Sequence, residues 1–375
     1  MIIHSNCITN RKKSQGVYMK IYHSEDLWTY LQKANKTVVM YGMGNGADKI
    51  LNICDRYGIE VADFFASDGF VRGHSFHGKT VISYSDVKAK YGAENIIVLL
   101  SFASSLPDVL ALFDKVDSEC EMYAPDVPVC GSTLFNMEFF NAHKSEFEQV
   151  YGMLADEESK FIFESVVNYK LSGKISYLRD AVSSRDGVWS LLGEISAAAD
   201  LGAYNGDTVR ELKKYRPEAK KVIAFEPDRR NFKKLSDYAL AETDIKVEAI
   251  NAAAWNCETT LTFADSGSRN SGAFAKGKTV EVSALSLDSV LDGEGVDYIK
   301  YDVEGAEKEA LEGSRKAIEK YSPALLVSVY HRSEDMFALP LQIKDMNPDY
   351  KFYLRRYPYV PAWDLNLICV EERQL

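Results

Sequence analysis

The spacing of apolar positions changes period several times along the chain, and each change marks an element. Val38-Val39-Met40-Tyr41 is a short apolar run that enters Gly42-Met43-Gly44-Asn45-Gly46-Ala47. Ile50, Ile53, Cys54 and Tyr57 then share one face at helical spacing, and Gly58 stops that helix. Val61 to Ala66 and Asn95 to Ser101 read as further strands. The latter is almost continuously apolar, as expected of a parallel strand covered on both faces. Strands alternating with helices predict a smaller Rossmann-like α/β domain over residues 20–130.

Residues 131–195 lose this alternation. Phe135, Phe139, Phe147, Phe163, Val166 and Tyr169 fall at mixed helical spacings among charges, which predicts a helical connector whose aromatics are core. From residue 196 the alternation returns. Ala197 to Leu201, Lys221 to Phe225, Ile245 to Ile250, Tyr298 to Val303 and Ala324 to Tyr330 read as parallel strands. Helices are expected at Thr208 to Tyr215 and Asn231 to Leu240, and one more should bury Ala310, Leu311, Ala317, Ile318 and Tyr321. Thr260 to Phe263 and Thr279 to Val282 suggest an inserted hairpin around a Gly/Ser-rich loop. Tyr350 to Tyr357 and Asp364 to Val370 suggest a terminal antiparallel pair. The expected C-terminal architecture over 196–375 is a mostly parallel seven-stranded sheet ending in an antiparallel hairpin.

Composition narrows the function classes. With 375 residues and 46% hydrophobic content the chain can bury large cores, and wholesale disorder is excluded. A net charge of -11 argues against a dedicated nucleic-acid binder. The six cysteines form no C-x-x-C pair, and no histidine stands at ligand spacing from them, so zinc modules and redox dithiols have no support. Reduced thiols suit a cytoplasmic protein. No apolar run approaches the roughly 18 residues of a membrane helix. Residues 1–19, with Arg11, Lys12 and Lys13, lack the apolar stretch of a signal peptide and read as a disordered polar tail.

The chemistry concentrates after the first strand of the C-terminal domain. Asp200-Leu201-Gly202-Ala203-Tyr204-Asn205-Gly206-Asp207-Thr208 joins that strand to its helix. Its glycines permit a tight turn and close approach to a ligand, and the helix start presents free N–H groups. Glu226 ends the next strand in Phe225-Glu226-Pro227-Asp228, where a carboxylate can take both hydroxyls of a ribose. The plainer reading is a tight turn with a helix-capping acid.

Asp200 to Thr208, Phe225 to Asp228, Asn251-Ala252-Ala253-Ala254, Ser286-Leu287-Asp288-Ser289 and Tyr298-Ile299-Lys300-Tyr301-Asp302-Val303-Glu304-Gly305-Ala306-Glu307 follow one another in that order. The series resembles the FkbM-type S-adenosylmethionine-dependent methyltransferases over about residues 196–375. The Lys300 to Glu307 segment is its most specific part. The resemblance implies a class I methyltransferase fold with S-adenosyl-L-methionine as cofactor. It also implies that Asp200, Gly202, Asn205, Gly206, Glu226, Asn251 and Ala253 line that cofactor. The implied reaction is O-methylation of a small-molecule or saccharide acceptor, such as a glycoconjugate precursor.

Methyl transfer to a hydroxyl needs alignment and a group to receive the proton. Open α/β sheets bind ligands at the carboxyl ends of their strands. Asp302 and Glu304, after the fourth strand, and His331, after the fifth, are the candidate catalytic residues, with Asp302 and His331 positioning or deprotonating the hydroxyl. An imidazole of near-neutral pKa suits that task. Glu307 reads more simply as a helix N-terminal acid, and Arg332 as a surface cation. The acids are of a kind that holds a hard divalent cation, but the sequence assigns no metal ligands. Gly42-x-Gly44-x-Gly46, with Asp68 some 20 residues on, leaves two alternatives open: a nucleotide-dependent oxidoreductase, or a nucleotide-sugar-binding or docking module. A non-catalytic methyltransferase-like binding protein is a third. The sequence does not decide whether the chain forms a homo-oligomer.

Overall fold

The computed structural model describes residues 18–264 and 279–371. The expected tail up to residue 17 and the Gly/Ser-rich loop 265–278 lie outside them. Met19 is 6% exposed and joins the core, so ordered packing begins within the expected tail.

Two open sheets organise the chain. The first has strands β1 (Thr37–Tyr41), β2 (Val61–Ala66), β3 (Ile82–Ser83), β4 (Ile96–Leu100) and β5 (Glu121–Tyr123), in the order β3-β2-β1-β4-β5 and parallel throughout. Every residue of β4 is buried, as its unbroken apolar run requires. Helix α1 (Asn45–Tyr57) follows the first glycine loop and ends on Gly58 in the left-handed region.

The second sheet comprises β6 (Ala197–Leu201), β7 (Lys221–Phe225), β8 (Lys246–Ile250), β9 (Tyr298–Tyr301), β10 (Ala324–Ser328), β11 (Lys351–Arg356) and β12 (Leu365–Val370). Its order is β8-β7-β6-β9-β10-β12-β11, with β12 antiparallel to both neighbours and the other pairings parallel. The order reverses between β6 and β9, and at such a reversal open α/β sheets bind ligands beyond the carboxyl ends of their strands. Ala253–Ala254, Thr259–Ala264 and Thr279–Leu285 form a separate three-stranded sheet.

The connector is helical as expected. Its longest helix, α2 (Glu157–Ser172), buries Ile162, Phe163, Val166, Val167 and Tyr169. It does more than link. One apolar cluster runs from Val39, Phe65 and Val98 of the first sheet through Phe135, Phe147 and Phe163 to Ile299 and Val327 of the second. Continuous apolar packing of this kind ties both sheets into one interior.

Helices α3 (Asp207–Tyr215) and α4 (Arg229–Ala241) match their expected positions. The single helix expected after β9 is instead two, α5 (Glu307–Glu312) and α6 (Arg315–Tyr321). The break falls at Gly313, where a Cβ would sit 1.9 Å from the Trp255 carbonyl oxygen, so a neighbouring backbone occupies the groove. Helix α7 (Asp335–Met346) was not foreseen, because Pro340 lies inside it and a proline argues against helix interior. No helix among the described residues is long and apolar enough to cross a membrane.

Candidate active site

The expected site residues gather at the carboxyl ends of β6, β7, β9 and β10. Lys300 and Asp200 are register partners on adjacent strands, so their side chains emerge together. Lys300 Nζ lies 3.6 Å from Asp200 Oδ1 and 3.4 Å from Asp302 Oδ2. The Thr208 hydroxyl donates to Asp200 Oδ2. Asp302 Oδ1 lies 3.7 Å from His331 Nε2 and accepts from the Tyr330 hydroxyl at 3.4 Å. Glu304 Oε2 is 3.6 Å from the same nitrogen, and Glu307 Oε1 is 2.9 Å from His331 Nδ1. A line of charged groups therefore runs from the glycine loop after β6 to the end of β10.

Burial sets the protonation of this line. At Asp302 burial opposes the charge, but Lys300 and then His331 outweigh it and hold the carboxyl below its ordinary value. Burial alone would lower His331, but Glu307, Asp302 and Glu304 together push it up to about 10. The near-neutral imidazole expected from the sequence is thus corrected: three carboxylates make the ring a cation at neutral pH. Glu307 opens α5 as a helix N-terminal acid, as expected, and does more: its side chain is 1% exposed, its Oε1 accepts from the Val303 N–H at 2.9 Å, and it is an interior partner of His331.

The glycines also have a packing role. Gly202 has φ +97, and a Cβ there would stand 2.0 Å from the Asp302 carbonyl oxygen. At Gly206 it would meet the Tyr238 ring at 2.6 Å. Close approach to other parts of the protein therefore requires glycine at both positions. The loop they shape still brings the backbone of β6 against that of Asp302, whose N–H donates to the Leu201 carbonyl at 3.0 Å.

Glu226 is 6% exposed, and its Oε1 accepts from the Asp228 N–H at 2.8 Å. Burial raises its carboxyl to about 7, against the lowering by the Asp228 and Tyr204 amides. Asn251 donates to the Glu226 carbonyl at 2.8 Å and so joins the ends of β7 and β8. Ala253 is 8% exposed and pairs with Ala284. Asn205 accepts from Arg210 at 3.4 Å through its side-chain oxygen. These residues fit an adenosyl group in donor chemistry: buried carboxylates at two adjacent strand ends suit ribose hydroxyls and an ammonium.

Sequence reasoning missed the contribution of the first half of the chain. The Cys130 N–H donates to the His331 carbonyl, and Cys130 Sγ to the Glu304 carbonyl, both at 2.9 Å. Gly305, at φ +94, leaves room for this contact, since a Cβ there would be 2.8 Å from Cys130 Cβ. Lys49 of α1 donates to the carbonyls of Pro128 and Val129 at 3.0 and 2.8 Å and fixes the same segment. Arg332, expected at the surface, is half-buried and donates to the Gly305 carbonyl at 2.9 Å. In the first glycine loop, a Cβ at Gly46 would stand 2.1 Å from the Ser101 carbonyl oxygen. Asp68 accepts from the Ser85 N–H and hydroxyl at 2.9 and 2.7 Å. Both features of that loop are engaged within the fold.

Comparison with known proteins follows this geometry. Residues 200–360 match the model of the methyltransferase FkbM domain. No curated protein matches the chain. Among solved structures, the FkbM methyltransferase from Methylobacillus flagellatus KT superposes with a TM-score of 0.68 at 20% identity, over 91% of this chain and 92% of that one. An rRNA methylase from Streptococcus thermophilus matches 50% of this chain and 92% of its own at 14% identity, with a TM-score of 0.34. The first likeness extends the shared fold across both sheets, and within the second the residues 200–360 carry the match to the methyltransferase FkbM domain.

Proposed function

We propose that the protein is an S-adenosyl-L-methionine-dependent O-methyltransferase acting on a hydroxyl of a saccharide or glycoconjugate precursor. The observation that carries this reading is the line from Asp200 through Lys300 and Asp302 to His331 and Glu307. It joins a cofactor-type loop to a cluster suited to a hydroxyl. When bound, the cofactor supplies an electrophilic methyl carbon. Glu226 accepts from the ribose hydroxyls, and Asp200 with the Gly202 to Gly206 turn and the Asn251–Ala253 segment shapes the remainder of its cradle.

Asp302 is ionised at neutral pH and is the group that receives the hydroxyl proton as the oxygen attacks. Lys300 orients it from one side and the His331 cation from the other. Glu304, more exposed than its neighbours, faces the acceptor side. Alignment supplies most of the rate gain in such a transfer. The segment 128–133 of the first half closes one wall, which suits the first domain to acceptor handling.

Calorimetric titration of the full chain with S-adenosylhomocysteine tests the reading. Binding that weakens in Glu226→Ala is expected, followed by methylation in a panel of sugar acceptors that Asp302→Asn abolishes. Absence of binding by the native chain at millimolar ligand would overturn it.

A further inference from the structure

His331 Nε2 is buried without a hydrogen-bond partner, as is Oε2 of Glu307. The ring is 1% exposed, yet Nε2 stands 3.7 Å from Asp302 Oδ1 and 3.6 Å from Glu304 Oε2. Those gaps are too long for hydrogen bonds. They are close to the spacing of two ligands on one metal ion: bonds of about 2.1 Å at a tetrahedral angle put ligand atoms roughly 3.4 Å apart. On the opposite side of the ring, Glu307 Oε1 lies 2.9 Å from Nδ1. A carboxylate behind an imidazole in this way holds the ring and aims the other nitrogen, as carboxylates do for metal-ligating histidines. Donor atoms of Asp302, Glu307 and His331 all lie within 4.8 Å of one another.

We propose that His331 Nε2 and Asp302 Oδ1 bind a divalent cation on the side of the ring that Glu304 faces, with Glu307 as the positioning residue of His331. An imidazole with a carboxylate forms a borderline donor set that suits Mn²⁺, Co²⁺ or Zn²⁺ better than Ca²⁺. The ion takes the place of the proton on Nε2, which passes to solvent. Glu304 is 55% exposed, so the ion is reached from the open side of the cleft and keeps coordination positions for an outside oxygen. The identity of that oxygen as the acceptor hydroxyl rests on the methyltransferase reading; the ion site itself does not.

The test uses the full chain, freed of metals with a chelator and titrated with MnCl₂ alone. Saturable binding of one ion per chain is expected, with a ¹⁴N modulation from an imidazole in pulsed EPR. His331→Ala removes the modulation, and Glu307→Gln weakens binding by at least about tenfold. Absence of both Mn²⁺ and Zn²⁺ binding at millimolar metal, or Mn²⁺ binding without the nitrogen modulation, overturns the proposal. The nitrogen signal of the native chain decides the question even if His331→Ala does not fold. S-adenosylhomocysteine titrated into the same sample separates the two readings: cofactor binding without metal binding removes only the ion site, and metal binding without cofactor binding removes only the methyltransferase assignment.

Discussion

Glu307 and His331 are each 1% exposed and approach to 2.9 Å, although they stand 24 positions apart in the chain with a whole strand between them. This pair anchors the end of β10 to the start of α5. Removing one member of a buried charge pair leaves the other uncompensated, at a cost of about 3–5 kcal/mol. Glu307→Ala is therefore expected to lower unfolding free energy by about that amount, read as a shift of the urea midpoint at unchanged slope. A loss under 1 kcal/mol would show the pair to be neutral in the folded protein.

Glu226 gives the cofactor affinity a pH dependence. Burial raises its carboxyl from the ordinary glutamate value to about 7, so the folded chain favours the protonated form. Stability is lost as pH rises from the unfolded value through 7, because the buried carboxyl must then ionise. A carboxylate that accepts from ribose hydroxyls must be ionised, so S-adenosylhomocysteine should bind about tenfold more tightly at pH 8 than at pH 6. Glu226→Gln should flatten that profile. A native profile that is flat across this range would remove Glu226 from the cradle.

Lys300 acts on two acids at once. It lies 3.6 Å from Asp200 and 3.4 Å from Asp302, and its own pKa is raised well above the ordinary value. Lys300→Met should let burial raise Asp302, moving the acid limb of the pH–rate profile upward and lowering kcat more than it raises KM. An unshifted limb would mean that Asp302 is held by His331 alone.

Gly202 separates a packing role from a ligand role. A Cβ there falls 2.0 Å from the Asp302 carbonyl oxygen, at a φ of +97 that side chains rarely adopt. Gly202→Ala should cost about 1–3 kcal/mol from the backbone conformation alone, and more from the contact. Scanning calorimetry without ligand reads this directly. A variant of native stability that has lost S-adenosylhomocysteine binding would return the glycine to the ligand.

The order of strands and most helices was legible because burial on both faces of a parallel sheet writes apolar runs into the sequence, and helical faces repeat every three or four residues. Helix α7 was not, since Pro340 is tolerated by its packing and no local rule anticipates that. The acids at strand ends, Asp200, Glu226 and Asp302, were visible from their positions after apolar runs. Sequence also separated Glu304, Glu307 and His331 as polar groups next to β9 and β10 and read Glu307 as a helix N-terminal acid, but not its burial against His331.

What the chain's sequence determined by itself was the alternation of elements, and with it the two sheets and the strand ends where chemistry would lie. Tertiary structure alone decided which charges meet. The protonation of His331 follows from three carboxylates brought through space around a ring without solvent, and Cys130 reaches Glu304 across 174 positions. Periodicity reports whether a side chain faces inward, whereas a pKa depends on the few charges within reach in a low-dielectric interior, and these come from distant parts of the chain.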